Sequence, residues 1–528
     1  VNAPTYALFG PIVRTPAITK EAHVSSPFRR SLPARPSLEQ QKRQAKELLE
    51  SFTAGDAESC ARIRSELPDK QDVALADAQF VLAREYGFAS WAALKAHIES
   101  HTEDRATVIE RVHDAFRRRD AGAVRRLFQQ HAELRARIND PVFSFNSPAI
   151  VAYANDLPIV EVLLEFGADP NRRSEWWAGG FHALYSATGE AAERLIAAGA
   201  VPDACAAAHL DRPELLVRLL SENPARVHER GGDGQTPLHF ARSRAVADLL
   251  LGAGADIDAQ DVDHRATPAQ WMLDRTRNAG RFELARYLVE RGASADIFLA
   301  AALGKTDTVR RMLEANRGLL DLRIGQGDYG EQPPSSYHIY FWTIGTNLSP
   351  MDVAAQFEQF DTLDAMLAFA SPLHRLLLAA RRGDAERARQ VVREHPAIVA
   401  SMTAQDHRAI TDAAWAGDAR AVALMVELGF DPRTPGHDSG TALHCAAWDG
   451  SPATVAALLR HPKANALVSI KDAHYSATPL GWCCHGSLHG DRSHDHAGVA
   501  RLLLDAGARP GPDTVNASPA VQSAIAGG

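Results

Sequence analysis

The sequence lacks any apolar run approaching the roughly 20 residues of a membrane-spanning helix, which excludes a membrane core. Cysteine is scarce: Cys60, Cys205, Cys445, Cys483 and Cys484 are odd in number and scattered. That usage fits a reducing compartment and argues against a disulfide framework. Basic runs are short and the formal charge is −8, whereas a dedicated nucleic-acid binder carries a basic excess. Val1 to Ser37 has no compact apolar h-region, so no secretory signal is read there, and the expectation is a soluble cytoplasmic chain. Absent too are a Gly-x-Ser-x-Gly elbow, a phosphate-cradling Gly-x4-Gly-Lys-Ser/Thr loop and a His-Glu-x-x-His helix.

What is present is repetition. A Ser or Thr start, in most copies followed by Pro, leads into an apolar turn at Ser147-Pro148, Thr236-Pro237-Leu238-His239, Thr267-Pro268, Ser349-Pro350, Thr441-Ala442-Leu443-His444 and Thr478-Pro479. It reads as a helix N-cap, with Pro at the first helical position where a missing N–H costs nothing. A second signal is an apolar pair followed by Gly-Ala, as in Leu163-Leu164 before Gly167, Leu249-Leu250 before Gly254, Leu288-Val289 before Gly292 and Leu502-Leu503 before Gly507. Glycine there supplies a left-handed helix stop. The unit is helix, short turn, helix, Gly stop, then an extended excursion.

This pattern resembles the ankyrin repeat, most clearly from Asp233-Gly234-Gln235-Thr236-Pro237-Leu238-His239 to Gly254-Ala255-Asp256. The resemblance implies an all-α ankyrin-repeat solenoid of about twelve partly degenerate helix-turn-helix units, the period being ~33 residues. The expected organisation is an extended Pro-rich segment at 1–36, a helical N-terminal cap at 37–104 and a first block of repeats at 105–322. An aromatic-rich insertion at 323–348, a second block at 349–512 and a tail at 513–528 complete it. The first helix of unit 231–258 reads as clipped, and Asp274 to Gly280 are extra residues between the helices of unit 260–294. In the Thr-Pro-Leu-His slot the family uses His as a buried strut, which implies structural roles for His239 and His444; Asp352 and Gly481 depart from it.

The resemblance also implies that residues following the Ala pair of each first helix are contact positions on a concave face. In order these include His209, Gln356, Arg381, Trp415, Trp448 and His485, with Asp449 beside Trp448. Exposed Trp tends to mark recognition sites. Tyr337, Tyr340 and Trp342 of the insertion join the candidate binding set, since a loop longer than ~12–15 residues is commonly functional. The insertion is expected to lie on the concave side over the eighth to tenth units, against Gln356, Arg381 and Trp415.

Two functional classes follow. The favoured one is a recognition protein binding a partner on its concave face and hairpin tips. The other is a hydrolase or lyase acting on a ring-bearing small molecule, with Asp449 and His485 as acid/base pair in a pocket closed by the 323–348 loop. No cofactor and no metal are expected. His485, His489, His494 and His496 cluster, but their spacing matches no established zinc pattern, and the frame puts Cys483 and Cys484 at buried positions. Neither nucleic acid nor membrane is expected as a partner. Glu175 to His182, rich in Trp and Gly, reads either as a tight turn packed on a neighbour or as a second contact patch.

Overall fold

Many of the repeats open where a Ser or Thr closes a helical first turn, and others where an Asp does so. At Thr236 the hydroxyl and backbone N–H both meet His239 Nδ1, and Pro237 fills the first helical position. The second helices end on left-handed glycines as expected: Gly167, Gly254, Gly292 and Gly507 have φ of 89°, 94°, 107° and 95°. A computed structural model describes residues 28–32, 37–102, 105–273, 279–462, 464–491 and 493–527. The expected extended segment 1–36 therefore lies outside the described residues except at 28–32, as does 274–278 of the expected excess between helices. Among the described residues there are helices and turns but no strand, only isolated bridges at Phe143–Ser147 and Gln332–Ser335.

The chain divides into two compact units, Val1–Glu175 with His182–Val201, and Trp176–Phe181 with Pro202–Gly528. The first begins with four helices, Leu38–Thr53, Ala57–Glu66, Leu75–Glu85 and Trp91–Thr102, where the sequence asks for a cap. Leu48, Ile63, Ala78 and Val81 make one small core there, and Ala83, Leu94 and Ile98 another. Glu85, fully buried, is gripped by Arg62 through two bonds of 2.7 and 2.9 Å. Three helix pairs follow, the third opening with a single 3-10 turn, Ala183–Tyr185.

The second unit continues with nine pairs, from Ala204–His209 with Pro213–Glu222 to Pro479–His489 with His496–Asp505, and a last helix Pro519–Ala526. Among the described residues this makes twelve pairs, the number the period of the sequence gives. The clipped first helix is Pro237–Phe240, a single turn. Alanines of the first helices (Ala206 to Ala208, Ala300 to Ala302, Ala446 and Ala447) are fully buried, so neighbouring backbones approach closely. Cys483 and Cys484 take the same slot at 0% exposure.

Histidine struts tie pairs together. His239 accepts from Thr236 N at 3.0 Å and its Nε2–H donates to Ala266 O at 3.0 Å; His444 does the same with Thr441 N at 3.2 Å and Ala477 O at 3.1 Å. Gln270 fills the slot in the next pair, accepting from Thr267 N at 2.8 Å. At Gly481 the strut is missing, and the carboxylate of Asp513 enters from the following segment to accept from Thr478 N at 2.8 Å and its hydroxyl at 2.7 Å. A Cβ on Gly481 would lie 2.4 Å from that carboxylate, so the absent side chain makes the room.

Burial holds the His239 imidazole down to about 3, below its ordinary value near 6.5. A histidine depressed in the folded state stays neutral there while the unfolded chain takes up a proton, so its contribution is intact above pH ~6.5 and is lost as pH falls toward the folded value. His239→Gln keeps the acceptor, as Gln270 shows, but does not titrate. Wild type is expected to lose about 2 kcal/mol relative to this variant between pH 6.5 and 5. Urea midpoints measured at both pH values check this; parallel shifts of the two proteins would refute it.

Candidate binding face

Trp415 ends the helix Ala409–Trp415, Trp448 lies in the last turn of Ala442–Asp449, and His485 lies in Pro479–His489, all first helices of successive pairs. Their rings form a row. The two indoles are stacked at 4° with centroids 6.4 Å apart; Trp448 meets His485 at 5.2 Å, and His485 meets His489 at 4.4 Å. Trp415 is 42% exposed, His485 and His489 are exposed, and Trp448 is half-buried. An offset aromatic pair contributes roughly 0.5–1.5 kcal/mol beyond its buried area.

The row is held from behind. His496, buried, bonds through Nε2 to Trp448 O at 2.9 Å. Gly486 lets the two helices meet: a Cβ there would lie 2.5 Å from Trp448 O and 3.1 Å from its Cα. Trp482 closes the rear of Trp448 edge-on at 6.5 Å, its Nε1–H donating to Asp472 at 3.0 Å.

Asp449 faces His494, whose Nδ1 lies 3.5 Å from its Oδ1. Burial raises the Asp449 carboxyl against the opposing pull of His494 and His496, and burial lowers the His485 imidazole. The acid/base candidates thus have different partners, one an imidazole on a loop and the other a stack of rings. Among the described residues, His485, His489, His494 and His496 join no group of three or more His, Cys, Asp or Glu side chains whose ligand atoms lie within 4.8 Å of one another. A cavity of about 480 Å3 lies between second helices of this unit, lined by Arg389, Arg420, Glu427 and Arg460 rather than by the aromatic row.

Gln356 and Arg381 meet the end of the insertion. Gln356 donates to Ile344 O at 3.1 Å, and Arg381 to Asn347 O at 3.1 Å and Asp412 at 3.2 Å. Asn347 in turn donates to Asp412 at 2.6 Å. The aromatic part of the insertion corrects the expectation that it runs forward over the eighth to tenth units. It turns back: Ser335 Oγ donates to Val262 O at 3.0 Å, and Ser336 N to Asp263 at 3.0 Å. Arg265 grips the Gly330 carbonyl at 2.8 Å. Tyr340, placed in the binding set by sequence, is fully buried, its hydroxyl donating to Asp296 at 3.1 Å beside the ring of Phe298. The reason is proximity, since Asp296 and Phe298 lie in the pair just before the insertion and a short closure costs less chain entropy. Tyr337 stacks on Phe341 at 4.2 Å, while Trp342 stays 41% exposed. His209 ends the helix Ala204–His209, in the fourth pair.

In the Trp176–Phe181 stretch, Gly179 passes so close to the neighbouring turn that a Cβ would lie 2.3 Å from Gly231 O, and Gly232 faces the Phe181 ring. That is the packed-turn alternative. Beside it lies a group that sequence reasoning missed, Asp233, Asp261, Asp263 and His264, all buried. Burial, then the charges of Asp263 and Asp261, pushes the Asp233 carboxyl up to about 8. The only signal was an Asp-x-Asp-His run 28 residues after Asp233, with nothing to say that the two turns meet.

Among known families, the ankyrin-repeat model matches residues 233–262. No curated protein matches the chain. A similar solved structure is the human ASB11 ankyrin repeat domain, 16% identical, covering 59% of this chain and 100% of that one with a TM-score of 0.22.

Proposed function

We propose that this chain, an ankyrin-repeat protein, is a recognition module that takes a protein partner on the face of its first helices, with Trp415, Trp448 and His485 as the anchor. Ankyrin repeats generally mediate protein binding, and the observation that carries the assignment of the surface is the stacked, partly exposed aromatic row. Two indoles held parallel by a buried scaffold lose little side-chain freedom on binding, and interface hot spots are enriched in Trp for that reason. Asp449 lies in the same helix as Trp448, so a partner segment bearing Arg or Lys would meet ring faces and a carboxylate.

A photo-crosslinking residue at exposed Ala416, with one at Glu427 on a second helix as control, tests the surface. Crosslinks are expected from position 416, and Trp415→Ala or Trp448→Ala is expected to weaken the captured partner's binding roughly tenfold or more. Capture only from position 427, with the double Trp variant binding normally, would put the surface elsewhere.

A further inference from the structure

The turns that precede the fifth and sixth pairs lie against one another, with Val262 N and Asp263 N both donating to Asp233 O at 2.9 and 3.2 Å. This brings three side chains to one point. His264 Nε2 lies 3.9 Å from an oxygen of Asp233 and 3.9 Å from an oxygen of Asp263. One ligand atom from each of Asp233, Asp263 and His264 falls within 4.8 Å of the others. Asp233 is 5% exposed, and the Trp176 side chain lies beside its carboxyl.

The tautomer of His264 is fixed. Its Nδ1 lies 2.8 Å from the carbonyl of Tyr337, and a carbonyl only accepts, so the proton sits on Nδ1. Nε2 faces the carboxyls of Asp233 and Asp263, and a cation placed among the three would displace the protons they hold and take one lone pair from each. Asp261 is already used, accepting from His264 N at 2.8 Å and Ala266 N at 2.7 Å, and Arg265 is committed to carbonyls of the insertion. Electron-pair donors converging on one point, each braced from behind, is the arrangement of a cation site.

We propose that Asp233, Asp263 and His264 bind one divalent first-row transition cation, braced by the insertion. An imidazole nitrogen with two carboxylate oxygens suits Zn2+ or Mn2+, whereas Mg2+ and Ca2+ prefer oxygen alone. The 3.9 Å separations need a closing movement of roughly half an ångström to reach tetrahedral spacing at ~2.1 Å bonds. The insertion supplies the outer bracing: Tyr337 O orients His264, and Ser336 N holds the other oxygen of Asp263 at 3.0 Å. The site thus links two turns and the insertion through one ion.

The test uses the full chain stripped with a chelator, then titrated calorimetrically with ZnCl2, MnCl2 and CaCl2. One Zn2+ or Mn2+ per chain is expected, with a higher melting temperature and no response to Ca2+. Asp263→Asn and His264→Gln are each expected to lower affinity at least tenfold, and Glu229→Gln, in a separate Asp203/Cys205/Glu229 group, to leave it unchanged. Should either variant fail to fold, crystals of the unaltered chain soaked in MnCl2 decide, by an anomalous peak between the three side chains. No binding of Zn2+ or Mn2+ at millimolar concentration, or a peak at Glu229 or His494 instead, overturns the proposal.

Discussion

Tyr340→Ala is expected to destabilise the second unit by about 3–5 kcal/mol, the usual range for emptying a large aromatic site in a core. The ring is fully buried among Phe298, Tyr329 and His338, with T-shaped or stacked contacts of 4.5 to 5.9 Å. Its hydroxyl is also one of the donors that reach Asp296, alongside Gln270 at 2.7 Å and Leu299 N at 2.7 Å. Burial raises the Asp296 carboxyl, so each donor lost leaves that group more costly. Tyr340→Phe isolates this part and is expected to cost about 1–3 kcal/mol. Trp342→Ala, at a side chain 41% exposed, is expected to cost about 1 kcal/mol or less. Urea unfolding of the three variants orders them; a Tyr340→Ala loss no greater than that of Trp342→Ala would show that the insertion is not part of the core.

Gly486→Val is expected to cost about 3 kcal/mol or more, because the atoms in the way are backbone and cannot swing aside. The added carbons would meet Trp448 O and Cα, forcing apart the helices Ala442–Asp449 and Pro479–His489. The same displacement removes the backing of Trp448, so the parallel indole pair should separate. Stacked indoles couple in their circular-dichroism signal, and loss of that coupling in Gly486→Val, with helicity retained, checks the geometry. Retention of both the coupling and the unfolding midpoint would mean that the close approach does not set the row.

Repetition made the fold legible. The caps, the Ala-lined first helices, the left-handed glycines and the His239 and His444 struts are all local in sequence, and each carries its own backbone logic. The aromatic row was legible for the same reason, since equal register in successive repeats places Trp415, Trp448 and His485 side by side. The insertion was not. Its composition told that it would be ordered, but its direction depends on Asp296 and Phe298 offering a partner and a pocket behind it, a tertiary fact without period. The Asp233, Asp263 and His264 group was hidden likewise, because two turns 28 residues apart had to be known to touch.

The missing strut at Gly481 has a consequence for how the chain can be shortened. Elsewhere a pair carries the acceptor for its own first Thr, so removing the next segment leaves that first turn closed. Thr478 instead borrows its acceptor from Asp513, beyond the end of the second helix His496–Asp505. A fragment designed to stop at the last recognisable repeat would keep every repeat residue and still lose the carboxylate that closes its final pair. Restoring it would take either the stretch through Asp513 or a histidine at 481, and not both, since the two compete for the same space.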